Sequence, residues 1–284
     1  MTRIKNIGSA AKLDREGYII NESSWEKVNR NYQSPIRKIT GAIKKDFSKE
    51  IHSIYLRGSL PRGLGIEGVS DIDLLVVEND SADKTCRERL MGTVEKMGKE
   101  YPYINGIEVG FNSLKEVCTT SHFHIIPFMI KTYSILLYGE NLQEKLPQYK
   151  ADEKLANEHI VNLRMQIEIA LEDLEGNEDT EDIKDCCMWI MKIFIRGGMA
   201  LVMNHERTYT RDLYPAFMLF STHYPEKEKE MLNALELAVN PSGDPLKIIS
   251  FLKEGFGSWM IQEADRWLKE YNPSKLKHMP LQTR

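Results

Sequence analysis

The stretch that decides the fold is residues 58–77, which read GSLPRGLGIEGVSDIDLLVV. A short apolar segment precedes it and predicts a buried strand that ends in the Gly58-Ser59 turn. Pro61 stands where the first turn of a helix tolerates proline, because the missing N–H would have no partner there. A strand that passes through such a turn into a helix N-terminus points free backbone N–H groups at one spot. Such a spot binds phosphate.

The second half of the stretch alternates acidic and apolar side chains. The period of two in a strand puts Asp71 and Asp73 on one face and Ile72 and Leu74 on the other. Two carboxylates about 6–7 Å apart along a strand repel each other unless a cation lies between them. Oxygen ligands suit Mg²⁺, which takes few protein ligands and completes its shell with phosphate and water. The pattern therefore predicts a magnesium site beside the phosphate-binding turn.

A third carboxylate, Glu108, stands alone in a later apolar segment, between Ile107 and Val109. If this segment pairs beside the strand of Asp71 and Asp73, Glu108 completes a three-carboxylate cluster opposite the phosphate turn. The alternative is that the two aspartates are turn and strand-start residues over a solvated edge. If the aspartates were only turn residues, the Gly-Ser turn upstream would not be needed. Its presence therefore favours the carboxylate cluster.

The order of these elements resembles the nucleotidyltransferase superfamily named after DNA polymerase beta. The shared order is Gly-Ser, a short spacer, an Asp-x-Asp strand and a later hydrophobic-Glu-hydrophobic segment. The resemblance implies an α/β (α+β) nucleotidyltransferase domain with a small mixed sheet. It also implies that Asp71, Asp73 and Glu108 are catalytic and hold two Mg²⁺ ions, while Gly58 and Ser59 bind the nucleotide, ATP.

The periodicity of the chain changes near residue 150. Residues 1–150 alternate strand and helix patterns and predict the catalytic domain, in which Ser34 and Pro35 open a helix. Residues 151–284 show only amphipathic helical patterns and predict an all-α helical bundle domain of four helices.

The helical part extends the resemblance to the bacterial streptomycin/spectinomycin adenylyltransferases. An Arg-Gly-Gly segment at 196–198 and a Tyr-Thr-Arg-Asp segment at 209–212 are the similar residues. In those enzymes the helical domain contributes basic side chains to the nucleotide triphosphate, which implies nucleotide-binding roles for Arg196 and Arg211. The alternative for each arginine is an interhelical ion pair.

Composition and charge exclude several other classes. The net charge of −4 argues against a nucleic-acid-binding protein. The longest apolar runs, such as residues 125–130, are too short to span a bilayer, and no secretion signal opens the sequence. The four cysteines follow no metal spacing and are expected to be reduced thiols of a cytoplasmic protein.

These observations predict a Mg²⁺-dependent nucleotidyltransferase that moves a nucleoside monophosphate, AMP from ATP, onto a hydroxyl of a small molecule. The resemblance makes an aminoglycoside antibiotic the leading acceptor. Metal ions would stabilise the attacking and leaving oxygens, and Glu108 is either a metal ligand or the general base. Two other classes stay open: a transferase that modifies a protein hydroxyl, and a non-catalytic nucleotidyltransferase-like antitoxin or binding module.

Overall fold

The computed structural model describes residues 4–281, which divide into two compact units. One unit is Ile19–Tyr149. The other combines the residues before 19 with those from 150 onward. The predicted functional domains, 1–150 and 151–284, stay a prediction.

The first unit contains one four-stranded mixed sheet in the order β3-β2-β1-β4. Strand β1 is antiparallel to β2 and to β4, whereas β3 is parallel to β2. This is the small mixed sheet that the sequence predicts, so the fold class of this part is confirmed. The elements in chain order are α1 (Arg30–Phe47), β1 (Ile51–Arg57), β2 (Ile72–Glu78), α2 (Lys84–Gly98), β3 (Ile107–Ser113), α3 (Leu114–Cys118), α4 (Ile125–Tyr133) and β4 (Ile135–Gly139).

Helices cover both faces of the central strands. On one face Ile54 and Leu74 are fully buried in a cluster with residues of α1 and α2. On the other face Tyr55 and Leu75 pack with Ile130 of α4. A slip of one residue would exchange the two faces, so this burial specifies the register of β1 against β2. It also fixes the strand ends, where the polar residues lie.

Helix α1 begins before the predicted boundary at Ser34 and carries Pro35 in its interior. Proline lacks the N–H that would bind the carbonyl of Asn31 one turn earlier. That carbonyl instead accepts a hydrogen bond of 3.0 Å from the hydroxyl of Tyr103. The predicted helix start is therefore wrong, because a side chain from outside the helix satisfies the group that Pro35 leaves free.

The second unit is helical, as predicted, but its described residues form seven helices where four were predicted. Two predicted helices are each divided in two, and the helix Leu213–His223 was not predicted. The break at Val161 and Asn162 divides one predicted helix, and Gly255, with φ of +69°, lies in the break that divides another. The helices are α5 (Glu153–Ile160), α6 (Leu163–Leu174), α7 (Thr180–Glu206), α8 (Leu213–His223), α9 (Glu228–Val239), α10 (Pro245–Lys253) and α11 (Phe256–Tyr271).

Helix α7 is long and apolar enough to cross a membrane by length and composition, yet most of its apolar window is buried, as in a core helix.

Candidate active site

The sheet register places Asp73 between two charged residues on the neighbouring strands. Asp73 is the partner of Arg57 on β1 and of Glu108 on β3. Cross-strand partners project their side chains from the same face of a sheet. The strand of Glu108 therefore lies beside the strand of Asp73, which is the pairing that the three-carboxylate prediction requires.

The guanidinium of Arg57 lies between two of these carboxylates. Its Nη2 atom is 3.5 Å from Oδ1 of Asp73 and 3.7 Å from Oε2 of Glu108. Both distances exceed the usual N–H···O range of about 2.7–3.2 Å. The side chain of Asp73 is 19% exposed, whereas that of Glu108 is 62% exposed. One arginine is thus shared by a buried carboxylate and an open one, with a loose contact to each.

The charge of Asp73 is only partly compensated by this arrangement. Burial is the largest effect and, together with the charges of Glu108 and Asp71, it raises the pKa of Asp73 to about 6. Arg57 acts in the opposite direction and lowers that pKa. The raised pKa indicates a site where an additional cation would be bound favourably.

Asp71 is held by the loop that leads into β3. The Nδ2 group of Asn105 donates a hydrogen bond of 3.0 Å to Oδ1 of Asp71, and the N–H of Ile72 donates to the carbonyl of Gly106 at 2.9 Å. A Cβ atom on Gly106 would lie 2.9 Å from the same Asp71 oxygen. Sequence reasoning missed this support, although an Asn-Gly pair before a strand is a recognisable turn signal.

The Gly-Ser turn packs directly against Asp73. Gly58 has φ of +85°, and a Cβ atom there would lie 2.0 Å from Oδ2 of Asp73, so both the backbone and the packing require glycine. Ser59 precedes a three-residue 3₁₀ helix, Leu60–Arg62, and its hydroxyl donates to that of Ser70 at 3.3 Å. The helix that the sequence predicts after the turn is therefore a single 3₁₀ turn.

Backbone hydrogen bonds inside the turn use several of its N–H groups. Arg62 and Leu64 both donate to the carbonyl of Ser59, at 3.2 and 3.0 Å, and Gly63 donates to Leu60 at 3.1 Å. Gly63 ends the 3₁₀ helix with φ of +77°. Phosphate binding by this turn would therefore depend on the earlier amides, those of Ser59 and Leu60.

Helix α1 fastens the loop between the turn and β2. The hydroxyl of Tyr32 donates to the carbonyl of Ile66 at 3.0 Å, and Nδ2 of Asn31 donates to Oε2 of Glu67 at 2.9 Å. Within the loop, the N–H of Ile66 donates to Oγ of Ser70 at 2.9 Å. These bonds hold the residues that connect the Gly-Ser turn to Asp71 and Asp73.

The comparison with protein families matches the part of the chain that contains this site. Residues 36–152 match the family model described as a nucleotidyltransferase domain. The predicted enzyme class, a nucleotidyltransferase, is thereby confirmed for the segment that holds the sheet, the Gly-Ser turn and the three carboxylates.

The other comparisons add little to this assignment. No curated protein matches the sequence significantly. Among solved structures, the chain is similar to the spectinomycin adenyltransferase AAD(9) from Enterococcus faecialis, solved with ATP and spectinomycin. The identity is 16%, the match covers 84% of this chain and 98% of that one, and the TM-score is 0.42.

The predicted ligands of the nucleotidyltransferase domain suit magnesium by their chemistry, although they are not gathered around one point. Within residues 4–281, no group of three or more His, Cys, Asp or Glu side chains is arranged to hold a metal ion. Asp73 and Glu108 face Arg57, while Asp71 faces Asn105. The donors are carboxylate oxygens, as Mg²⁺ prefers, and a positive group already lies between two of them. The metal assignment remains a prediction.

The two predicted nucleotide-binding arginines lie in the helical unit, where they share a neighbour that sequence reasoning missed. Burial, together with the charges of Arg211 and Arg196, lowers the pKa of His159 to about 3. The ring of His159 stacks on that of Tyr209, with centroids 6.0 Å apart. The histidine therefore stays neutral beside two positive charges. The predicted nucleotide contact of both arginines stays a prediction.

Proposed function

We propose that the chain is a Mg²⁺-dependent nucleotidyltransferase that moves AMP from ATP onto a hydroxyl of a small molecule. One observation carries the proposal: Asp73 and Glu108 are cross-strand partners beside the Gly58 turn, inside a nucleotidyltransferase domain. Asp71 lies two residues upstream of Asp73 and supplies the third carboxylate. Such a set of oxygen ligands beside a phosphate-binding turn is suited to in-line displacement at phosphorus.

Asp73 and Glu108 differ in exposure and therefore have different roles in this proposal. Asp71, Asp73 and Glu108 would hold two Mg²⁺ ions, which when bound supply charge stabilisation for the attacking and leaving oxygens. Asp73 is mostly buried against Gly58, so it acts as a fixed ligand. Glu108 is open to solvent, so an acceptor hydroxyl can reach it and transfer its proton to it.

The nucleotide would be bound by the turn and by basic side chains. The amides of Ser59 and Leu60 are proposed as the donors for a phosphate group, and the Ser59 hydroxyl would have to turn from Ser70 to join them. Arg196 and Arg211, the arginines beside the neutral His159, are proposed to contact the triphosphate.

The acceptor is proposed from the resemblance of the sequence to the streptomycin/spectinomycin adenylyltransferases. It is a small hydroxylated molecule, with an aminoglycoside antibiotic as the first candidate, in which case the protein confers antibiotic resistance in the cytoplasm. A protein hydroxyl as acceptor, and nucleotide binding without transfer, are the two alternatives that the same experiment separates.

The test is pyrophosphate release, measured with each nucleoside triphosphate and Mg²⁺ against a panel of aminoglycosides, other hydroxylated metabolites and a protein extract. Product mass then identifies the modified acceptor. We expect release only with a small acceptor and only in the presence of Mg²⁺. ATP binding without release for any acceptor supports the binding-module alternative. Equal ATP affinity in EDTA and in Mg²⁺, measured by calorimetry, would contradict the metal role.

A further inference from the structure

We propose that Arg57 is a built-in countercharge for Asp73 and Glu108, which a divalent metal ion must displace in order to bind. The inference deepens the proposed function and rests on it, because it assumes that these carboxylates are metal ligands. It assigns a role to a residue that the sequence pattern does not single out. Arg57 then sets how readily the protein binds metal before any nucleotide arrives.

The first argument is where the arginine is placed. Arg57 is the last residue of β1 and the ladder partner of Asp73, so its backbone is fixed relative to that of Asp73. Its Nη2 atom contacts one oxygen of each carboxylate, Oδ1 of Asp73 and Oε2 of Glu108. A metal ion held by these carboxylates would compete with the guanidinium for their negative charge.

The second argument is that the contact is loose enough to exchange. At 3.5 and 3.7 Å the guanidinium is farther from both oxygens than a tight charge-assisted hydrogen bond of about 2.7–2.9 Å. The Arg57 side chain is 26% exposed, so water can take part as it leaves. It is therefore held by electrostatic attraction and not by a fixed network, which is what a displaceable group requires.

The third argument is the need for a cation when metal is absent. Asp73 and Glu108 are adjacent across the two strands, and Asp71 precedes Asp73 by two residues. Carboxylates this close repel each other, and a cation within about 4–6 Å relieves the repulsion. Arg57 supplies that charge without closing the site, because the Glu108 side chain stays mostly exposed.

The test is the affinity of the full-length protein for Mn²⁺ alone, measured from the electron paramagnetic resonance signal of the free ion, without nucleotide. Arg57→Gln is expected to bind Mn²⁺ at least about tenfold more tightly than the unaltered protein. A positive charge at this distance changes the ionisation of a carboxylate by about 1–3 pKa units, which is about 10- to 1,000-fold. Unchanged or weaker binding would overturn the proposal.

Two further variants keep this test decisive. Arg37→Gln removes the same charge from α1, where Arg37 lies 5.0 Å from the ring centre of Trp25, and it should leave Mn²⁺ affinity unchanged. Equal tightening in Arg37→Gln would show a net-charge effect and contradict the role of Arg57. If Arg57→Gln does not fold, Arg57→Lys decides. It should bind Mn²⁺ more tightly than the unaltered protein by a smaller factor, because an ammonium group is more strongly hydrated and leaves more readily.

The failure of this inference differs from the failure of the proposed function. If the unaltered protein binds Mn²⁺ with ATP and transfers AMP, but Arg57→Gln does not tighten Mn²⁺ binding, only the countercharge role is wrong. If neither protein binds Mn²⁺ with or without ATP, the proposed metal-dependent function is wrong and the countercharge role falls with it.

Discussion

Strand β2 carries a carboxylate–arginine pair near each end, and the two pairs differ in geometry. Near the end of the strand, Glu78 is 4% exposed, and Arg87 donates to it from Nε at 2.9 Å and from Nη2 at 2.6 Å. Near the beginning, Asp73 lies 3.5 Å from Arg57, and Glu108 shares this arginine. The same two residue types thus form a tight bidentate pair in one place and a loose shared contact in the other.

We infer from this difference which pair stabilises the fold and which one can take part in chemistry. A bidentate pair of short hydrogen bonds satisfies a buried carboxylate almost completely and leaves it little affinity for another cation. A buried carboxylate with a distant, shared arginine keeps unsatisfied charge, which favours a metal ion. The presence of an arginine beside a buried acid is therefore weak evidence by itself. The distances distinguish the two cases.

The largest expected effect follows from removing the charge of Asp73. Asp73→Asn should lower turnover by more than about 10³-fold, because a metal ligand supplies several kcal/mol of transition-state stabilisation. The free energy of unfolding should not fall, since the substitution relieves repulsion from Glu108 and Asp71. Pyrophosphate release and urea unfolding measure the two quantities. A variant with a tenth or more of normal turnover would remove Asp73 from the metal site.

The second effect separates chemistry from binding at Glu108. Glu108→Gln should lower kcat by about 10²–10⁴-fold, the usual contribution of a general base, while ATP affinity changes much less. The side chain is mostly exposed, so the amide should not disturb the fold. If Glu108 is only a strand residue, the variant will keep more than about a tenth of normal kcat. A loss that small lies below the range expected for general-base catalysis.

The sequence predicts the strand pair of this site because local patterns determine it. The alternation around Asp71 and Asp73 identifies a strand, and the Gly58-Ser59 turn identifies where the preceding strand ends. Arg57 could not be assigned in the same way. Its partners depend on the cross-strand register, which is specified by the burial of both sheet faces and not by any pattern within β1.

The helix boundaries that the sequence does not predict depend on distant contacts. The carbonyl of Asn31, which Pro35 leaves without its helical N–H partner, accepts a hydrogen bond from Tyr103, far along the chain. Between α10 and α11 the apolar stripe continues across Gly255, and only its backbone conformation, with φ of +69°, marks the break. Periodicity identifies which face of a helix is buried, but it does not show where the helix stops.

The third effect tests the tight pair of the comparison. Glu78→Gln should lower the free energy of unfolding by about 1–3 kcal/mol, because it weakens charge-assisted hydrogen bonds to a buried group. The loss should stay below that of a fully buried ion pair, since Arg87 is 49% exposed and water can solvate it. Urea unfolding measures the change. Turnover of the folded variant should be normal. A large loss of kcat without destabilisation would show that Glu78 contributes to catalysis and not to the stability of the fold.

The smallest expected effect concerns another largely buried carboxylate, Glu158 of the helical unit, which lies against a histidine. Its side chain is 10% exposed and lies 3.1 Å from Nδ1 of His278, and burial raises its pKa from an ordinary 4.5 to about 8, against the opposing charge of Lys277. Between those pH values the folded protein keeps a proton that the unfolded chain has lost. Stability should therefore fall as pH rises through this window.

We expect a loss of about 1 kcal/mol in the free energy of unfolding between pH 5 and pH 7, because burial keeps Glu158 protonated in the folded protein over this range. Glu158→Gln should remove this loss, so the variant should be more stable than the unaltered protein at pH 7 and nearly equal to it at pH 5. Urea unfolding at both pH values makes the comparison. If the difference between the two proteins does not change with pH, Glu158 is charged throughout, and its histidine compensates it as fully as Arg87 compensates Glu78.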